Sequence, residues 1–163
     1  MEASVQTQKN ASQVFKKFCN YLDKNKIYYD TDTTNDRFNV SLSYSGDDLS
    51  MQFHIEIDAS RQIIYALSPL PFIVENDAKK NIALSLCAIN NVLASGSFDF
   101  DLSSGRIVYR LTYGIFDGLI CDNAFAYIIR LLNATVDKYN DKLLMVSKGV
   151  LSVEELYNLV VNN

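Results

Sequence analysis

The sequence predicts an α+β two-layer sandwich: one antiparallel sheet of about five strands with the helices gathered on one face, in the order α-β-β-β-α-β-β-α-α. Three observations lead there. Apolar residues alternate with polar ones, at a period of two, from Phe38 to Ser68 and again from Phe98 to Tyr113. Segments of helical period precede, separate and follow those stretches, each with a single apolar stripe. Because every strand also has one clearly apolar face, stripes and faces close most economically into one shared core.

Residues 1–11 show no periodicity and are expected to be a disordered segment. From Ser12, Val14, Phe15, Phe18 and Leu22 follow one helical face, with Lys16, Lys17, Asn20, Asp23 and Lys24 on the other. Lys24 and Lys26 at its end suit the negative pole of the helix dipole. Ile27-Tyr28-Tyr29 could form a short strand, and the polar run Asp30 to Asp36 reads as a loop. Phe38, Val40, Leu42 and Tyr44 then alternate with polar residues. After Ser45-Gly46-Asp47-Asp48, so do Leu49, Met51, Phe53, Ile55 and Ile57. Pairing Tyr44 with Leu49 places Leu42 opposite Met51 and Val40 opposite Phe53, with all the apolar residues on one face.

A turn at Asp58-Ala59-Ser60 leads to a third strand, Arg61 to Ser68, with Ile63, Tyr65 and Leu67 assigned to the core and Ile64, Ala66 and Ser68 to the outer side. Its apolar character on both sides suggests a central position or a covered outer face. Pro69 and Pro71, which cannot donate to a ladder, should end it. A second helix capped by Asn76 or Asp77 carries Ala78, Ile82, Leu86, Ile89 and Leu93, and Gly96 is placed to close it. A hairpin follows, turning at Ser103-Ser104-Gly105, with Phe98, Phe100 and Leu102 on the same face as Ile107, Tyr109, Leu111 and Tyr113. A long helix capped by Asp122 or Asn123 runs to about Met145. The capping box Ser152-Val153-Glu154-Glu155 opens a short last helix.

The 163 residues, 48% hydrophobic and 21% charged, suit one domain over residues 12–163, able to bury roughly two-thirds of its unfolded surface. A net charge of -4 without a Lys/Arg cluster argues against nucleic acid as a partner. Met1 to Lys9 lack the apolar core of a secretory leader, and no apolar run approaches bilayer length, so a cytoplasmic protein without a membrane partner is expected. Cys19, Cys87 and Cys121 fit neither a zinc site nor a CxxC pair and read as free thiols.

No catalytic, metal or cofactor site is expected. His54, the single histidine, lies on a polar strand face with no nucleophile placed beside it. Asp99 and Asp101 point the same way, as a metal site would need, but alternate like any half-exposed strand, with Arg106 in cross-strand reach of Asp101. The glycines match no phosphate-binding fingerprint, and the sequons at Asn10, Asn39 and Asn133 read as chance. What remains is surface. The outer sheet face is expected to present Gln52, His54, Ile64, Ala66, Val108 and Arg110 as partner-binding residues, with an apolar centre at Ile64, Ala66 and Val108.

The run Ile89-Asn90-Asn91, Leu93, Gly96, Phe98, Asp101, Gly105, Ile107 and Tyr109-Arg110 resembles the helix-to-hairpin signature of the YbjN-like family. Asp137, Val146-Ser147-Lys148-Gly149 and Ser152-Val153-Glu154-Glu155 look like that family's C-terminal part. The resemblance spans residues 12–160. It implies a fold similar to that of type III secretion chaperones and a role as a bacterial sensory-transduction regulator or chaperone-like module that holds a partner segment as a homodimer. It carries over no catalytic residues. The alternative is a small-molecule-binding domain or enzyme with a pocket between helices and sheet, using His54, Tyr65 or Tyr109; a scaffolding role in a larger assembly is a third.

Overall fold

A computed structural model describes residues 3–34, 36–46 and 50–161. Its first helix, α1 (Val5–Lys24), begins well before Ser12: the Ser4 hydroxyl accepts from the Thr7 N–H at 3.1 Å, and Ala11, Val14, Phe18 and Leu22 are all buried. The stretch expected to be disordered thus contributes a helical turn and a buried alanine. Its signal was weak because Gln6, Thr7, Gln8 and Lys9 surround the few core-facing positions.

Six strands follow the α+β plan, one more than expected: β1 (Tyr29–Thr34), β2 (Arg37–Ser45), β3 (Ser50–Asp58), β4 (Ile63–Ile73), β5 (Ser97–Asp101) and β6 (Arg106–Gly114), all antiparallel in the order β1-β2-β3-β4-β6-β5. The run taken for a loop is β1. It is an edge strand whose residues beyond Tyr29 are all exposed, so it has no apolar alternation to reveal it. Between β2 and β3 the partners are Tyr44↔Met51, Leu42↔Phe53 and Val40↔Ile55. That register is two residues away from the expected one, which keeps every side chain on its expected face. The expected partner Leu49, and Asp47 and Asp48 of the turn, lie outside the described residues.

The β3–β4 connection changes the faces of β4. Asp58 pairs with Ile63 across a four-residue turn in which Gln62 has φ of 55°. The Asp58 carboxylate organises that turn by accepting from the Ser60 and Arg61 N–H groups at 2.8 and 2.9 Å. This is one residue longer than the sequence suggested, and a one-residue slip exchanges the two sides of a strand. Ile64, Ala66 and Ser68 therefore face the core, and Ile63, Tyr65 and Leu67 face outward. The prolines do not end β4. It runs to Ile73, and its ladder with β6 slips between Pro69↔Val108 and Ile73↔Arg106.

The helices α2 (Lys79–Val92), α3 (Asp122–Ser147) and α4 (Val153–Val161) complete the second layer, with a 3-10 turn at Phe116–Gly118. α1 lies over β2 and β3, α3 over β4 and β6, α2 beside β5, and α4 on α2. Aromatic rings join the layers: Phe15 stacks on Phe38 at 5.1 Å, and Phe98 meets Tyr109 at 5.1 Å and Tyr139 at 6.0 Å. The expected caps of α2 and α3 are not used: the cap residues are Ala78 and Cys121, without side-chain bonds. The α4 capping box does form, with Glu155 N–H donating to Ser152 Oγ at 3.2 Å and Ser152 N–H to Glu155 Oε2 at 2.8 Å. Gly96 has φ of 71° but does not close α2, which ends at Val92 with Leu93 as its cap; a Cβ at Gly96 would collide with the Tyr109 hydroxyl and the Arg110 carbonyl. Leu102 leaves the hairpin face and is exposed in the turn.

Candidate partner-binding face

The helices cover one side of the sheet, and the other side is open. Its centre is apolar because β4 directs Tyr65, Leu67 and Pro69 there and β6 adds Val108 next to Pro69. These residues are half-buried by their strand neighbours alone. Around them lies a polar frame. On the β2–β3 side, Gln52 Nε2 donates to Ser43 Oγ at 2.8 Å, Ser41 Oγ meets His54 Nδ1 at 3.2 Å, and Arg37 pairs with Glu56 at 3.3 Å. On the hairpin side, Arg110 forms a two-pronged pair with Asp99, one arm at 2.9 Å, and also reaches Ser97 Oγ at 3.2 Å. This contact holds the Asp99 carboxyl below its ordinary pKa and raises that of Arg110.

Of the six residues expected here, Gln52, His54, Val108 and Arg110 lie on the open face. Ile64 and Ala66 do not: both are 1% exposed beneath the helices. Tyr65 and Leu67 take their place, Leu67 between His54 and Arg110 and Tyr65 between Glu56 and Thr112. The signal that could have found them is the length of the β3–β4 turn. A depression of about 630 Å³ lies on this side, lined by Arg37, His54, Glu56, Arg61, Tyr65 and Leu67 among others.

The side chains offered for a catalytic pocket do not converge. Tyr109 is fully buried on the helix side, where its hydroxyl donates to the Ser95 carbonyl at 2.7 Å and burial raises its pKa, whereas His54 and Tyr65 are on the opposite side. The hairpin carboxylates are likewise engaged. Asp101 accepts from Ser103 N–H and Oγ at 2.8 and 2.6 Å and from Ser104 Oγ at 2.7 Å, which holds it well below the usual carboxylate range. Arg106, opposite it in register, makes none of these contacts. The three cysteines are free. No helix among the described residues is long and apolar enough to cross a membrane.

A six-stranded antiparallel sheet with all helices on one side and an apolar, polar-framed face on the other defines an α+β two-layer protein whose unclaimed surface is its sheet. The crystal structure of YbjN from E. coli, a candidate transcription regulator, has this fold: it superposes with a TM-score of 0.53 over 78% of this chain and 91% of that chain, at 15% sequence identity. No family model and no curated protein sequence matches the chain.

Proposed function

We infer that this protein is a non-enzymatic interaction module that holds a segment of a partner protein on its open sheet face, as a regulator or chaperone-like binder acting as a homodimer in the bacterial cytoplasm. The observation that carries this reading is the uncovered apolar centre at Tyr65, Leu67, Pro69 and Val108 within a frame of paired polar groups. Such an apolar core inside a polar rim is how recognition patches are built. The fold shared with YbjN, described as a candidate transcription regulator, supports the same reading.

Light scattering of the purified protein is expected to report a dimer. Leu67→Asp, on the open face, should leave the thermal midpoint nearly unchanged while abolishing retention of a co-purifying partner. A strictly monomeric protein, or a partner retained equally by the variant, would refute the reading.

A further inference from the structure

We propose that the free margin of β1 is a docking site separate from the open face, which takes an extended basic segment of another protein as a further strand of the sheet. This margin serves whether or not the open face holds a partner. The sheet has two margins, at β5 and at β1, and they are finished differently. At the β5 margin, Asn90 of α2 stands in for a neighbouring strand: its Nδ2 donates to the Phe98 carbonyl at 3.0 Å, and its Oδ1 accepts from the Phe98 N–H at 2.8 Å. The β1 margin has no such plug. Among the described residues β1 pairs only with β2, and Asp30 to Thr34 are all exposed.

Register decides which backbone groups of β1 point outward. In antiparallel pairs, hydrogen-bonded and non-hydrogen-bonded partners alternate, and each residue turns its N–H and C=O to the same side. Phe98 turns both groups to Asn90, so Tyr109 opposite it bonds across to Ser68. Carried through the continuous registers, that alternation makes bonded partners of Leu67 and His54, of Phe53 and Leu42, and of Ser41 and Asp30. The strand ends keep the same phase: Ile115 N–H donates to the Gln62 carbonyl at 2.9 Å, and Ala59 N–H to the Asp36 carbonyl at 3.0 Å. Asp30, Asp32 and Thr34 thus bond to β2. Tyr29, Thr31 and Thr33 direct their groups away from the sheet, where an added strand can take them up.

Side chains set the charge of the occupant. Asp30 and Asp32 lie opposite Ser41 and Asn39, on the open side of the sheet. Neither has a cation partner among the described residues: Asp32 accepts from the Thr34 hydroxyl at 3.1 Å, and Arg37 on β2 is taken by Glu56 at 3.3 Å. Because Tyr29, Thr31 and Thr33 would make the bonded pairs with an added antiparallel strand, Asp30 and Asp32 fall in the non-bonded pairs, whose side chains stand closest. The residues facing them are two apart on the added strand, and Lys or Arg there gains cross-strand attraction. The segment selected therefore carries Lys or Arg at alternate positions, in keeping with a net charge of -4 on this chain. A second β1 would instead bring carboxylates of its own.

The test pans a random seven-residue peptide display library on the full-length protein and measures the affinity of the enriched peptides by fluorescence anisotropy. The expected result is enrichment of Lys or Arg at alternate positions, with binding that weakens as salt is added and that slows amide exchange at Thr31 and Thr33. Thr31→Pro removes one outward N–H and no ladder bond, so it should weaken binding about tenfold or more at a nearly unchanged thermal midpoint. Asp30→Lys combined with Asp32→Lys should reverse the preference, so that panning returns Asp or Glu at alternate positions. No enrichment, affinity indifferent to Thr31→Pro, or no slowing at Thr31 and Thr33 overturns the site; the exchange readout needs no variant and decides even if Thr31→Pro fails to fold. Peptides lost in the double lysine variant but kept in Thr31→Pro would overturn strand addition in favour of charge alone. Peptides lost in Leu67→Asp but kept in Thr31→Pro would overturn the β1 site and leave the open face standing. A dimer that Thr31→Pro disrupts without peptide would overturn the foreign segment in favour of a second copy of this chain.

Discussion

On the helix side of β4, Ile64, Ala66 and Ser68 are at most 1% exposed beneath α3; on the open side of the same strand, Tyr65 and Leu67 are shielded only by adjacent strands. Apolarity alone therefore does not say which face of a central strand is core. Small residues mark the covered side: Ala66 and Ser68 let α3 approach, and bulk is displaced to Tyr65 and Leu67. Apolar residues left on the open side contribute less to folding than those beneath the helices.

Three measurements test that contrast, beginning with the largest effect. Ile64→Ala should cost about 2–4 kcal/mol in urea unfolding, because it combines lost burial with a cavity, whereas Leu67→Ala should cost about 1 kcal/mol or less. Equal costs would erase the distinction between the faces. Next, Ser68 Oγ is buried with no hydrogen-bond partner among the described residues. Ser68→Ala should therefore raise stability by about 1 kcal/mol, since it removes an unmatched polar atom.

The smallest effect belongs to the open side. Asp99→Asn should cost under about 1 kcal/mol at neutral pH, as expected for a half-exposed ion pair. Because the folded pKa of Asp99 lies below its unfolded value, its contribution is fully present above that unfolded value, near pH 4. It disappears as acid protonates the folded carboxylate. The difference between wild type and Asp99→Asn should therefore shrink as pH falls from about 4 downward.

The helices and the β5–β6 hairpin were legible in the sequence because packing imposes their periods: Val14, Phe18 and Leu22 on α1, and Phe98 with Ile107 and Tyr109 across the hairpin. Elements not shaped by burial were not legible. β1 turns Thr31 and Thr33 toward the helix side but beyond helix cover, so threonines suffice there and no alternation appears. The faces of β4 depended on Gln62 adopting a positive φ, a conformation that a glutamine does not advertise. The candidate site was thus legible as a face and four of its residues, while its apolar centre moved by one position along the strand. The proline pair misled in another way: it removes N–H donors from β4 without ending the strand, which runs on to Ile73.

The two outermost strands share a further property. β1 carries Asp30 and Asp32, and β5 carries Asp99 and Asp101, in each case two residues apart and so on the same side. An unpaired strand margin is a template on which another chain can grow. On β5 the charge of Asp99 is neutralised by Arg110, but on β1 Asp30 and Asp32 have no cation partner among the described residues, so two molecules approaching by that rim meet repulsion before their backbones can join. Fibrillar growth along the sheet is thereby opposed from the β1 end.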